Sequence, residues 1–166
     1  MTLYSAGHRT TRDLFTNGLF TLLGDDKQRA AFLAAPQLDL TVQEFLRFAA
    51  PTLFIVRVAG ESLELDSVAT DPTTPVLVLL GAANRDPERY TDPDHFDIAR
   101  DDGRPLSFAI GPHACLGQQL ARTEAEIMLD AIATQLDLSR LQIAAPAPRW
   151  TQTGTFRGLD ALRVCY

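Results

Sequence analysis

Cysteine is scarce in this chain: Cys115 and Cys165 are the only two in 166 residues. Two thiols are too few, and too specifically placed, for a disulfide framework. Basic residues are also in short supply, with 15 Lys and Arg against 21 Asp and Glu and a formal net charge of −6. No basic stripe exists to neutralise phosphates, which argues against nucleic acid as a partner. Apolar runs of membrane-spanning length are missing, as is a charged-then-apolar leader pattern at the N-terminus. The expectation is a cytoplasmic protein that does not cross a membrane. Internal repeats and low-complexity tracts are lacking too. What remains is 46% hydrophobic and 22% charged, which is ordinary globular composition at a length of about one domain.

Against that background one stretch stands out: Phe108-Ala-Ile-Gly111-Pro-His113-Ala-Cys115-Leu-Gly117, running straight into a helical pattern from Gln118 to Leu136. It places a cysteine where a turn becomes a helix. The first N–H groups of a helix lack partners inside it and carry partial positive charge. A sulfur there is favoured as thiolate, the form that binds metals. Gly111 and Gly117 leave room for positive φ or for a flat group lying against the backbone. Phe108 can cover the sulfur. The competing reading is a buried cysteine in a glycine-rich turn. His113 and Cys115 could be half a zinc site, but no second Cys or His pair stands at zinc spacing.

Other patterns frame that stretch. Ala6-Gly7-His8-Arg9-Thr10-Thr11 leads into a helical run of Leu14, Phe15, Leu19, Leu22 and Leu23, with Gly24 placed as its cap. Asp25-Asp26 can cap a short helix through Leu33, stopped by Pro36. A helix from Thr41 to Phe48 puts Glu44 and Arg47 on one face, within pairing reach, although Thr41 and Glu44 also read as a capping box. Leu53 to Val58 reads as a strand, and Arg57 inside it is a charge that is costly to bury unpaired. Gly81 to Asp97, which includes His95, is polar and turn-rich. Beyond Cys115, a long amphipathic helix shows an apolar face of Leu116, Leu120, Ala121, Ile127, Met128, Ala131, Ile132 and Leu136. The tail reads as short strands around Leu141, Trp150 and Arg157 to Val164, with Cys165 an idle thiol.

Together these motifs resemble the cytochrome P450 family, whose haem-binding loop has Phe, two residues, Gly, three residues, Cys, one residue and Gly. Phe108, Gly111, Cys115 and Gly117 fill all four fixed positions. The resemblance implies a mainly α fold with small β-sheets (α+β), of which this chain matches the C-terminal part, from Ser5 to Val164. It divides a single domain, 1–166, into half of a central helix (5–23), a Glu-x-x-Arg helix (41–48), a meander (81–105), the haem loop (108–117), a proximal helix (116–136) and terminal hairpins (141–164). Two glycines and a proline often found in the small sheet are Asp66, Ser67 and Asp71 here.

The resemblance also assigns roles. Cys115 becomes the axial thiolate ligand of the iron of haem b, and thiolate donation favours O–O cleavage. Arg57 and His113 face the haem propionates. Ala6, Gly7 and Thr10 lie on the oxygen side, with Thr10 hydrogen-bonding bound dioxygen. Glu44, Arg47 and His95 form a structural triad. The acid expected beside Thr10 is Arg9, a poor proton relay. The implied activity is insertion of one oxygen atom of O2 into an organic substrate, with electrons from a ferredoxin or flavoprotein donor. Helices without a counterpart here would cover the stripe of Leu14, Phe15 and Leu19, so a partner chain is expected on that exposed apolar face. The alternative is a non-catalytic binding or scaffolding module, or the remnant of a split gene.

Overall fold

The computed structural model describes residues 2–166. Helix α1 (Thr2–Gly24) is the longest element and runs unbroken through the Ala6–Thr11 motif. It is followed by α2 (Asp26–Ala34) and α3 (Leu38–Phe48). Asp25 caps α2 as its sequence suggests, accepting the Gln28 N–H at 3.0 Å. The start of α3 differs from expectation. It lies at Leu38, so Thr41 is inside the helix, buried, and its hydroxyl has no hydrogen-bond partner. The capping box therefore does not form, and the Glu44 carboxylate is free for another partner.

Four short strands follow: β1 (Ile55–Val58), β2 (Leu63–Leu65), β3 (Val68–Thr70) and β4 (Pro75–Val78). β1 pairs antiparallel with β4, placing Arg57 opposite Val76, and β2 pairs with β3. Asp66 and Ser67 both take positive φ, 47° and 66°, to make the β2–β3 turn without glycine. A single helical turn, α4 (Leu80–Ala83), opens the irregular stretch that leads to the cysteine. Helix α5 (Gln118–Gln135) starts beyond it. The tail forms β5 (Gln142–Ile143), β6 (Trp150–Thr153), β7 (Phe156–Leu159) and β8 (Val164–Cys165), paired β5 with β8 and β6 with β7.

The core sits where α1, α3 and α5 meet. Leu14, Leu19, Leu22 and Leu23 from α1 pack with Val42, Phe45 and Leu46 from α3 and with Ala125 and Leu129 from α5. Gly18 makes the close approach possible: a Cβ there would lie 2.1 Å from the Phe45 ring. Phe45 and Phe96 stack with centroids 6.2 Å apart, which brings the irregular stretch into the same core.

Two expectations about exposure are overturned. Leu14 and Leu19 are 2% and 5% exposed, so the stripe read as uncovered is the centre of the core. Helix α5 turns Ala125 and Leu129 inward instead of the whole face read from its sequence, and Leu116, Leu120 and Ile127 point to solvent. The apolar residues of α5 occupy more than one side, and the small Ala125 lets α1 and α3 approach on only one of them. Uncovered apolar side chains also include Leu3 and Tyr4 on α1, and Val56, Val58 and Leu77 on β1 and β4.

Candidate functional site

The loop around Cys115 is built from two 3-10 turns, Leu106–Phe108 and Gly111–His113. The Ala109 N–H donates to the Leu106 carbonyl at 2.7 Å, and the Cys115 N–H returns to the Phe108 carbonyl at 2.9 Å. These bonds fold the loop back so that the cysteine lies beside the phenylalanine. Positive φ is needed twice, at Gly111 (80°) and at Ala109 (φ 54°, ψ −171°). The second of these is a conformation that essentially only glycine takes without strain. Gly117 precedes α5 with ordinary φ, and a Cβ on it would reach only to 4.0 Å from the Cys115 Sγ.

The loop is held from behind by buried hydrogen bonds. Arg47 donates to both carboxylate oxygens of Glu44, at 2.7 and 2.8 Å, and to the carbonyls of Asn84 (3.0 Å), Pro93 (2.7 Å) and His95 (2.9 Å). All five guanidinium N–H groups thus have acceptors, and both side chains are almost fully buried, at 2% and 1% exposure. Asn84 then reaches the loop. Its amide donates to the Ser107 hydroxyl at 2.8 Å, and its carbonyl accepts the Leu106 N–H at 2.8 Å. Ser107 in turn donates to the Leu46 carbonyl of α3. His95 enters this network through its backbone, while its imidazole is exposed. The third charged side chain beside Glu44 is Arg100, 3.6 Å from the carboxylate and 8% exposed. The triad read from sequence with the His95 side chain is corrected accordingly. Asn84, Ser107 and Arg100 were not picked out by sequence.

In front of the loop lies a cavity of about 250 Å³. Ala6, Thr10 and Thr11 of α1 line one side, and Phe108, His113 and Cys115 line another. Arg57 and Phe156 also contribute to its wall. The Thr10 hydroxyl donates to the Ala6 carbonyl at 2.5 Å. Gly7 does not line this cavity. It borders a second groove between α1 and α5, and a Cβ added there would meet nothing within 4 Å. Arg57 is exposed, and among the described residues its side chain bonds only to the adjacent Val56 carbonyl, at 3.0 Å; the burial cost expected for it does not arise. His113 is exposed as well. Phe108 packs on the core and leaves Cys115 open, so it does not seal the sulfur as expected. Arg122 lies over the Phe108 ring at 5.5 Å, where burial and then the neighbouring Arg104 hold its pKa below the usual value.

Arg9 is turned to the side. Its Nε donates to Asp13 at 3.3 Å, and its guanidinium lies 5.4 Å from the Phe156 ring centroid. No Asp or Glu among the described residues lines the cavity. The donor set also limits what metal fits. Among the described residues no three His, Cys, Asp or Glu side chains converge, so the structure offers no cage for a bare ion. A metal that brings its own planar ring of ligands needs only one protein donor, which Cys115 supplies. Apolar walls, the Arg57 guanidinium and the His113 imidazole suit a flat apolar ring with acidic substituents. The residues present therefore fit haem.

Comparison with known proteins agrees. The family model for cytochrome P450 matches residues 2–152. The chain is 39% identical to the biotin biosynthesis cytochrome P450 of Bacillus subtilis (strain 168), over 97% of this chain and 40% of that protein. It is 37% identical to the 6-deoxyerythronolide B hydroxylase of Saccharopolyspora erythraea, over 99% of this chain and 41% of that protein. A crystal structure of P450BioI with a hexadec-9Z-enoic acid ligated acyl carrier protein superimposes with a TM-score of 0.90 at 38% identity, covering 97% of this chain and 42% of the other. This chain thus spans about two fifths of the length of the relatives it matches. With the family model matching most of its length and relatives above 30% identity over nearly all of it, the chain belongs to the cytochrome P450 family.

Proposed function

We propose that this chain is the haem-binding portion of a monooxygenase, with Cys115 as the axial ligand of haem b. The observation that carries the reading is the placement of Cys115 and Thr10 on one cavity. It joins a soft donor and a hydroxyl from elements far apart in sequence. A haem held there by Cys115 would supply O2 activation, for a reaction in which one oxygen atom would enter the substrate and the other would leave as water, consuming two electrons and two protons.

The protein's own groups have narrower tasks. Gly111 lets the loop turn back, and Gly117 keeps the space beside the sulfur open. Phe108 forms a wall next to Cys115. Arg57 and His113 would hold the two propionates, since neither is engaged by a carboxylate of the chain. Thr10 keeps its proton on Oγ1, pointed at the Ala6 carbonyl, from which a hydroxyl rotation can redirect it into the cavity. Ala6 and Gly7 keep the first turns of α1 slender. Glu44, Arg47, Asn84 and Ser107 fix the loop, with the His95 carbonyl as a further acceptor. Arg9 stays protonated and hands on no proton.

The substrate is an organic molecule with a substantial apolar part, in keeping with the apolar cavity. A related structure carries a fatty acid on an acyl carrier protein. Electrons would come from a ferredoxin or flavoprotein. The exposed Leu116, Leu120 and Ile127, with Leu3 and Tyr4, suit a covering polypeptide. That observation favours a second reading, in which the chain acts only with a polypeptide covering these side chains, or serves as a non-catalytic module.

The test is the absorption spectrum of the haem-supplied chain, reduced and exposed to carbon monoxide. A red-shifted Soret band that disappears in Cys115→Ser is expected. A spectrum that persists in Cys115→Ser would overturn the ligand assignment, and failure to take up haem would favour the partner-dependent reading.

A further inference from the structure

We propose that two copies of this chain pair through the groove between α1 and α5, each supplying the polypeptide that covers the other. This rests on the second reading above, whose covering polypeptide it identifies, and does not depend on haem.

The groove offers about 510 Å³ and is lined by His8, Arg12 and Phe15 of α1 and by Glu124, Ile127 and Met128 of α5. An apolar strip continues beyond it on both helices. Tyr4 stands one turn before His8 and stacks on it, with ring centroids 5.7 Å apart. Leu120 stands one turn before Glu124, on the same face of α5. Leu120 and Ile127 are 62% and 63% exposed, while another side of α5 buries Ala125 and Leu129 in the core. A helix with apolar residues on two sides has a second surface to bury.

Charge identifies the surface that fits. Glu124, on the α5 wall, is half-buried yet has no hydrogen bond or ion pair among the described residues. On the α1 side, Arg12 gives Nε and Nη2 to Asp13 and stays half exposed. With Arg9 also on Asp13, that cluster keeps one net positive charge. The two walls are thus opposite in sign and do not bond to each other. A two-fold contact sets residue i against j and j against i. Glu124 of each copy then meets the Arg12 side of the other, and both orphaned charges are answered at once. Gly7 borders the groove with open space where a Cβ would stand, which admits a close approach. The paired α1 and α5 helices make a four-helix arrangement, and two-fold closure ends assembly at two copies.

Analytical ultracentrifugation of the full 166-residue chain without haem is the test. Wild type is expected to sediment at twice the 18.2 kDa chain mass and to dissociate on dilution. Ile127→Glu and Glu124→Lys should each weaken the dimer by at least about 10-fold, with Glu124→Gln in between. Leu77→Glu, at an exposed apolar position of β4 outside the groove, should leave it unchanged. Melting curves check that each variant folds. A monomer at every concentration overturns the proposal and gives the groove to a different polypeptide. Open-ended assembly overturns it too, as does a dimer equally sensitive to Leu77→Glu and Ile127→Glu. Haem uptake is read separately from the absorption spectrum. A dimer that takes up no haem keeps the pairing and sinks the haem assignment, and a haem-binding monomer does the reverse.

Discussion

The carboxylate of Asp13 stands where a side chain on Gly158 would begin: a Cβ on that glycine would lie 2.6 Å from Asp13 Oδ2. Helix α1 and strand β7 therefore touch through a glycine on one side and a buried acid on the other. Asp13 is short and held by Arg12, so it cannot give way. Gly158→Ala is expected to destabilise the chain by about 1–3 kcal/mol through overpacking. Thermal melting would show it, and an unchanged melting temperature would mean that β7 moves freely.

Glu44 and Arg47 make the second prediction, because only one side of the meander's contribution is electrostatic. Arg47→Ala leaves a buried carboxylate with only Arg100 at 3.6 Å and the Asp97 N–H at 2.9 Å, and is expected to cost about 3–5 kcal/mol. His95→Ala removes an exposed imidazole but keeps the carbonyl that Arg47 uses, so a change within about 0.5 kcal/mol is expected. Denaturant titration of Arg47→Ala, Arg100→Ala and His95→Ala should rank them in that order of damage. A large loss in His95→Ala would restore the imidazole to the triad.

Ala109 offers a stabilising change. Its φ of 54° and ψ of −171° are relaxed by glycine, and Ala109→Gly is expected to gain about 1 kcal/mol net of the added chain entropy. The same reasoning applies to Ser67→Gly in the β2–β3 turn, where φ is 66°. Melting temperatures decide both, and a loss in either variant counts against strain at that residue.

Acid sensitivity has a traceable contributor in Asp160. Its carboxylate accepts the Arg149 N–H at 2.9 Å, the Ala161 N–H at 2.8 Å and the Arg149 Nε at 3.2 Å. The Arg149 backbone N–H is the leading cause that holds its pKa below the usual 3.8. A pKa lowered by folding contributes stability above the unfolded value, and that stability is lost as pH falls through the folded value. Asp160→Asn should thus be less stable than wild type at neutral pH, with the gap closing below about pH 4. A gap that stays constant down the acid limb would rule out this linkage.

What the sequence made legible was local. The three-residue step from Glu44 to Arg47 is a short-range pattern and appears as an ion pair; the spacing of Phe108, Gly111, Cys115 and Gly117 is equally local, and of its glycines Gly111 takes the positive φ. Arg9 and Asp13 are four apart on one helix, so their pairing was in reach of the same logic. The stripe of Leu14 and Leu19 was visible, but an apolar stripe does not say what covers it; α3 and α5 do, and Gly18 admits Phe45. Asn84, Ser107 and Arg100 left no trace because their bonds link positions far apart in the chain. His95 was misread for a related reason: the structure uses a carbonyl, which every residue type possesses.

The strands carry a last consequence. Among the described residues each of the four sheets has only two strands, and two-stranded ribbons are marginal in water unless something packs on them. The buried side chains gather instead on α1, α3 and α5. Amide protons should therefore exchange on two clocks, slowly along the central helices and quickly in the β2–β3 ribbon. The cysteine loop is tied to α3 by Ser107 and through Asn84, and so should keep the helices' slow time although it has no regular structure of its own.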